Sequence, residues 1–130
     1  MCITCYNEIG DDLERTLSGL ASNLDAWQQQ GVDWREVAVC VVYDGRDRIE
    51  KSMLEYMERK LNIYDKEMLL ATHKNNPVTM HLFEKTVSLV KHSSQREHYQ
   101  PLQLIMCIKE LNAGKLSSHN WFFAGFCRQL

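Results

Sequence analysis

A continuous apolar run, VAVCVVY at positions 37–43, limits the possible folds of this chain more than any other stretch. Four of its seven residues are valine, and β-branched residues favour extended backbone. Because the run does not alternate with polar residues, it predicts a strand that is buried on both faces, which is typical of a parallel sheet. Asp44-Gly45 follows as a turn signal. The run therefore favours a layered α/β fold.

The residues before this run predict an amphipathic helix that ends near Gly31. Asp11 is the expected N-cap, and Glu14 stands three residues later, as in a capping box. Gly31 is the expected C-terminal stop. The apolar positions recur every three or four residues, and they are Leu13, Leu17, Leu20, Leu24 and Trp27.

After Asp44-Gly45, a second helix is predicted over residues 48–61. Its inner face consists of Ile49, Met53, Tyr56, Met57 and Leu61. We then expect a short helix over 65–71, a loop over 75–77, a strand within 78–90, an exposed loop over 93–100 and a strand within 101–112. A final helix is predicted from Ser117-Ser118, which stand at a cap position, to the end.

The order strand–helix–strand–helix, followed by a variable region, two strands and a helix, predicts an α/β fold with a largely parallel sheet. The sequence holds no apolar run long enough to span a bilayer and no pattern of a signal peptide. Its first strand starts almost at its polar exit, and its last helix lacks a stop signal. We therefore expect the domain to be truncated at both ends.

The charge and the cysteines exclude some classes of function. Fifteen basic and 17 acidic residues give a net charge of −2, so no polybasic surface points to nucleic acid. Cys40, Cys107 and Cys127 lie in apolar runs, which is typical of buried, reduced thiols. Cys2-x-x-Cys5 could be a redox or zinc pair. However, residues three apart in a strand face opposite sides, and no second pair of metal ligands is present.

The histidines and the last aromatic cluster predict packing and surface positions rather than a site. We interpret the lone histidines as mostly surface or capping residues, and they are His73, His81, His92, His98 and His119. The Trp121-Phe122-Phe123 cluster is typical of core.

Polar clusters follow three predicted strands, and they are the candidate site. They read Thr4-x-Tyr6-Asn7-Glu8, Asp44-Gly45-Arg46 and Lys109-Glu110-x-Asn112. Ligands of open α/β sheets bind beyond the carboxyl ends of the strands. Carboxylates can accept from a uracil N–H or a ribose hydroxyl, an aromatic can stack on a base, and a lysine can meet a diphosphate. The alternative is that these are ordinary solvated loop residues.

Four stretches together resemble the chitin synthases of fungi and oomycetes, which are processive family 2 glycosyltransferases. They are TCYNE (4–8), VVYDGR (41–46), MHLFEKT (80–86) and LQLIMCIKELNAGKLSSHNWFF (102–123). The resemblance implies a Rossmann-like glycosyltransferase A-type fold, with residues 1–130 as the N-terminal, donor-nucleotide-binding portion of the catalytic domain. It also implies UDP-binding roles for Thr4, Tyr6, Glu8, Asp44 and Lys109. Ser117, His119 and Trp121 match the same family pattern as packing or site-wall residues.

The resemblance further implies transfer of N-acetylglucosamine from UDP-N-acetylglucosamine to a growing β-1,4-linked chitin chain, with inversion. The family's Mg²⁺ or Mn²⁺ ligands, its general base and its membrane segments are expected beyond Leu130, so we expect these 130 residues to be inactive alone. The full enzyme would lie in the plasma membrane, with its catalytic domain on the cytoplasmic side, and would form a homodimer. The alternatives are another processive synthase, of hyaluronan or cellulose type, and a non-catalytic nucleotide-binding or interaction domain.

Overall fold

A computed structural model describes residues 1–91 and 93–128, and its centre is a four-stranded sheet. The strands lie in the order β1 (Cys2–Cys5), β2 (Ala38–Tyr43), β8 (Leu102–Lys109) and β5 (Met80–Val87). The first three are parallel, and β5 is antiparallel to β8. The predicted fold class is confirmed. Three polar strand exits therefore meet at one edge.

Helix α1 (Gly10–Gln28) packs its apolar stripe on the sheet, but it begins differently from the prediction. Ile9, not Asp11, is the N-cap residue and makes no side-chain capping bond. The Gly10 N–H instead donates to Ser52 Oγ at 3.3 Å, so the neighbouring helix replaces a local cap. Trp27, predicted on the inner face, is 40% exposed, because the helix has reached the edge of the core there.

The end of α1 at Gly31 is confirmed as a Schellman motif. Gly31 has a positive φ of 92°, its N–H donates to Gln28 O, and the Val32 N–H donates to Trp27 O. The second predicted helix is also present, but it begins at Lys51 rather than at residue 48, because Arg46–Arg48 form a separate turn and Ile49 is extended. It consists of α2 (Lys51–Glu55) and a wider π turn (Tyr56–Lys60), and all five predicted inner residues are buried.

The segments that join these elements contain two hairpins that the sequence interpretation missed. Only a single turn, Lys66–Met68, occupies the predicted helix over 65–71. The predicted loop at 75–77 belongs to a hairpin of β3 (Thr72–His73) and β4 (Asn76–Pro77). The predicted loop over 93–100 contains β7 (Ser94–His98), which pairs with β6 (Val90–Lys91). These short strands are mostly polar, so they carry no alternating pattern that would identify them.

The last helix, α3 (Lys115–Asn120), continues as a π turn (Trp121–Gly125) and a final turn (Phe126–Arg128). It begins at Lys115, two residues before the predicted Ser117-Ser118 cap, and Gly114 precedes it with a positive φ of 82° that favours glycine. Ser118 is therefore inside the helix and fully buried. Residues 129 and 130 of the predicted helix lie outside the described residues.

The core lies on both faces of the sheet, as the unbroken apolar runs predicted. Val39, Val41 and Tyr43 pack with α1 and α2, whereas Cys40 and Val42 pack with Phe122 on the other face. Cys2 and Cys5 divide between these two clusters, as expected for residues three apart in a strand.

Four single residues differ from the sequence interpretation. Cys127 is exposed, and so are Phe123 and, at 38%, Trp121, since this segment covers the second face of the sheet with Phe122 and, in part, with Phe126. His81 is buried at 8%, because it pairs with Glu110. His92 lies outside the described residues. Among the helices that the structure describes, none is long and apolar enough to cross a bilayer.

Candidate functional site

A cavity of about 340 Å³ opens at the carboxyl ends of the parallel strands. Three segments form it: the exit of β1, the residue after β2, and the loop between β8 and α3. The residues that line it are Thr4, Cys5, Tyr6, Glu8, Asp44, Asn112, Gly114, Lys115 and Ser118. This is the location at which open α/β sheets bind ligands.

Four of the five predicted site residues line this cavity. Thr4 lies in β1 opposite Val42, and the Asp44 N–H donates to Cys5 O at 2.9 Å, which brings the two strand exits side by side. The Tyr6 ring is partly exposed. Glu8 turns back so that its carboxylate accepts from the Tyr6 N–H at 2.6 Å. The cavity therefore presents an aromatic ring, a hydroxyl and two carboxylates.

The fifth predicted residue, Lys109, is only 3% exposed and does not line the cavity. Its Nζ donates to Asp44 Oδ1 at 2.6 Å and to Ser118 Oγ at 3.4 Å. The Ala113 N–H also donates to Asp44 Oδ1, at 2.9 Å. Burial alone would raise the pKa of Asp44, but the bonds from Lys109 and Ala113 outweigh it and hold that pKa below its ordinary value. Asp44 is thus a fixed anion.

Gly45 allows the loops after β2 and β8 to touch. Its φ of 103° lies in the region that favours glycine. A Cβ at this position would stand 3.2 Å from both the Cβ and the backbone nitrogen of Asn112. Gly45 therefore allows a close approach between the two loops, which brings Asn112 to the cavity.

Beside the cavity, Glu110 forms a second polar cluster with Arg46 and His81. Arg46 binds the carboxylate with two nitrogens, at 2.9 and 3.0 Å, and the His81 Nε2–H donates to it at 2.5 Å. Burial alone would raise the pKa of Glu110, but the bonds from Arg46 and His81 hold it below its ordinary value.

Comparison with known proteins identifies the family. The profile of a family described as "Chitin synthase-like glycosyltransferase domain" matches residues 1–130. The chain is similar to chitin synthase 1 of Phytophthora sojae (strain P6497), with 35% identity over an alignment of 144 positions. That alignment covers all of this chain and 15% of the relative. The chain belongs to the chitin synthase-like glycosyltransferase family.

For a chitin synthase-like domain, the cavity contains residues that the sequence interpretation did not assign to the site. Lys115, Gly114 and Ser118 all line it, whereas Ser117, His119 and Trp121, which were expected as wall or packing residues, do not belong to its lining. Lys115 does have a sequence signal, because it lies within the quoted run 102–123. However, only the structure shows that the Lys109 ammonium is buried against Asp44 and Ser118 behind the cavity lining, whereas Lys115 borders the cavity.

The metal that the family resemblance implies does not fit the described residues. Asp44 Oδ1 already accepts from an ammonium group and an amide, and Glu8 already accepts from the Tyr6 N–H. Within residues 1–91 and 93–128, no group of three His, Cys, Asp or Glu side chains could hold a metal ion. We therefore derive no step through a metal.

Proposed function

We propose that this chain binds the UDP of UDP-N-acetylglucosamine and serves as the donor-nucleotide part of a chitin synthase. The enzyme would transfer N-acetylglucosamine to the 4-hydroxyl of a growing β-1,4-linked chain, with inversion at the anomeric carbon. The observation that supports this most is the cavity at the strand exits, where four residues of two family motifs, Thr4, Tyr6, Glu8 and Asp44, meet.

The chemistry of the cavity suits a uridine nucleotide. A carboxylate that stays ionised, as Asp44 does, accepts from a uracil N–H or a ribose hydroxyl, and Glu8 offers a second acceptor. The partly exposed ring of Tyr6 provides a surface for the base. The buried ammonium group of Lys109 neutralises Asp44 and so keeps the carboxylate in place.

Lys115 is our proposed partner of the diphosphate. It is exposed and borders the cavity, whereas the Lys109 ammonium is bound to Asp44 and Ser118. A diphosphate is a multiply charged anion, and a lysine on a flexible stem is a suitable point charge for it. This proposal transfers to Lys115 the role that the sequence had suggested for Lys109.

The remaining machinery of the enzyme is proposed to lie outside these 130 residues. Asp44 is a poor general base, because its pKa is held low and its Oδ1 is already bonded. The base, any Mg²⁺ or Mn²⁺ ligands and the membrane segments would therefore come from other parts of the protein, and residues 1–130 would be inactive alone. Plasma-membrane location and a homodimer belong to the same proposal.

A transfer assay on the intact protein tests the proposed substrate. We expect radiolabelled UDP-N-acetylglucosamine to give a polymer that chitinase degrades, whereas UDP-glucose and UDP-glucuronate give none. Asp44→Ala should lower incorporation by about 100-fold, and Asp33→Ala, an exposed carboxylate in a different loop, should leave it unchanged.

The same assay separates the alternatives. Polymer from UDP-glucose or UDP-glucuronate alone would indicate a cellulose- or hyaluronan-type synthase. Binding of UDP without any transfer would indicate a non-catalytic nucleotide-binding domain.

A further inference from the structure

Two ion pairs of opposite polarity join the loops that follow β2 and β8. In one, the acid comes from the β2 exit and the base from β8, with Lys109 Nζ 2.6 Å from Asp44 Oδ1. In the other, the base follows β2 and the acid follows β8, with Arg46 Nε 2.9 Å from Glu110 Oε1. Gly45 stands between the two pairs and touches Asn112. The two loops are therefore fixed to each other on both sides of one contact.

The Glu110 carboxylate is bound from two directions. Arg46 binds both of its oxygens, and the buried His81 approaches Oε1 from β5. Since an ionised carboxylate is only an acceptor, Nε2 of His81 must carry the proton of this bond. Two-nitrogen binding of a carboxylate by arginine fixes orientation as well as distance. Glu110 thereby links three elements, β2, β5 and β8.

The Glu110 cluster does not line the nucleotide cavity. It borders a second cavity of about 340 Å³, together with Lys66, Leu69 and Val78. Any effect of Glu110 on the nucleotide must therefore pass through the loops. Arg46 is two residues from Asp44, and Glu110 is two residues from Asn112, so both partners are directly connected to residues that line the nucleotide cavity.

We propose that Glu110 is a positioning residue of the nucleotide site, which with Arg46 and His81 holds the two loops at the separation that presents Asp44 and Asn112 to the ligand. This inference rests on the proposed binding of UDP. A substitution that breaks the cluster changes none of the residues that line the cavity. It weakens the contacts that hold the two loops together and so allows the lining residues to move. Because Asp44 and Asn112 are proposed to contact the nucleotide rather than the reacting atoms, their displacement should weaken binding more than it lowers kcat.

The test compares Glu110→Gln and the milder Arg46→Lys in the intact protein. Both variants keep a polar side chain. Glu110→Gln removes the negative charge that Arg46 binds, and Arg46→Lys removes the pair of hydrogen bonds from two nitrogens. We expect the KM for UDP-N-acetylglucosamine to rise about tenfold for Glu110→Gln and about threefold for Arg46→Lys, with kcat within about twofold of the unsubstituted protein. Arg35→Lys is the matched control, because Arg35 pairs with Asp33 in an exposed loop, and it should change neither constant.

A second measurement detects directly whether the loops after β2 and β8 have become more mobile. Hydrogen exchange of the segment 110–114 should be faster in Glu110→Gln, since the Ala113 N–H is bonded to Asp44 across the two loops. Unchanged KM and unchanged exchange, with only a lowered Tm, would show a purely structural role and overturn the inference.

The failure of the inference can be told from the failure of the proposed function. If the unsubstituted protein binds UDP and Asp44→Ala abolishes binding, the proposed function stands, and normal binding by Glu110→Gln then contradicts the positioning role alone. If the unsubstituted protein does not bind UDP, both proposals fall together.

Discussion

At the scale of single residues, the interior charge pair of Asp44 and Lys109 dominates the site. Lys109 is 3% exposed and Asp44 is 6% exposed, so neither charge has much water around it. Each is stable there only because the other is present, with Ser118 and the Ala113 amide adding bonds. The pair therefore stabilises the edge of the sheet and also holds Asp44, a residue of the cavity lining, in place.

Removing one member of this pair should be more damaging than removing both. Asp44→Asn leaves a buried ammonium without its counterion, and we expect a loss of about 3 kcal/mol in the free energy of unfolding. The double change Asp44→Asn with Lys109→Met should recover a large part of that loss. Urea unfolding measures both.

Asp33→Asn is the control for this experiment, because its partner Arg35 is exposed and it should cost less than about 1 kcal/mol. A double variant that is less stable than Asp44→Asn would contradict the account.

At the scale of elements, the large ones could be predicted and the small ones could not. The unbroken apolar runs in β2 and β8 and the stripe of α1 are long patterns whose burial decides their conformation. The β3–β4 hairpin depends instead on Lys74 and Asn75, which both have positive φ values (49° and 64°), as a type I′ turn requires. Lysine is uncommon at such a turn, so residues 74 and 75 carry no recognisable hairpin signal.

The contact between the two strand-exit loops makes a prediction about glycine. Gly45→Ala should destabilise the protein by about 2 kcal/mol, because φ is 103° and the new Cβ would press on Asn112. It should also weaken UDP binding, since Asn112 lines the cavity.

Gly19→Ala is the matched control for Gly45→Ala. Gly19 lies inside α1 with open space around it, so this change should stabilise the protein by about 1 kcal/mol. Thermal unfolding of the two variants gives the comparison, and a Gly45→Ala variant as stable as Gly19→Ala would show that the loops do not touch as described.

At the scale of the whole molecule, the position of the cavity could be predicted because strand order and motif position point to the same edge. Which lysine borders the cavity could not be predicted. Lys109 and Lys115 are six residues apart, and their positions relative to the cavity depend on a side-chain pairing between Lys109 and Asp44 that no local pattern encodes. The same holds for His81, which becomes buried only because β5 runs antiparallel beside β8 and meets Glu110.

The lowered pKa values of Asp44 and Glu110 predict the pH dependence of stability. Their folded-state pKa values lie below the ordinary values of 3.8 and 4.5. Their contribution is therefore fully present above the ordinary values and is lost as the pH falls through the lowered ones. The free energy of unfolding should decrease from about pH 5 to about pH 3, and the slope should be shallower in Asp44→Asn. An equal slope in that variant would contradict the assignment.

Calorimetric titration of UDP into the protein tests the central claim most directly. We predict binding that Asp44→Ala abolishes and that Lys115→Ala weakens by about tenfold, the effect of losing one charged contact. Lys51→Ala, which removes an exposed lysine that pairs with Glu55 on α2, should have no effect. Binding of UDP with the same affinity by all four proteins would contradict the claim that this cavity holds the nucleotide.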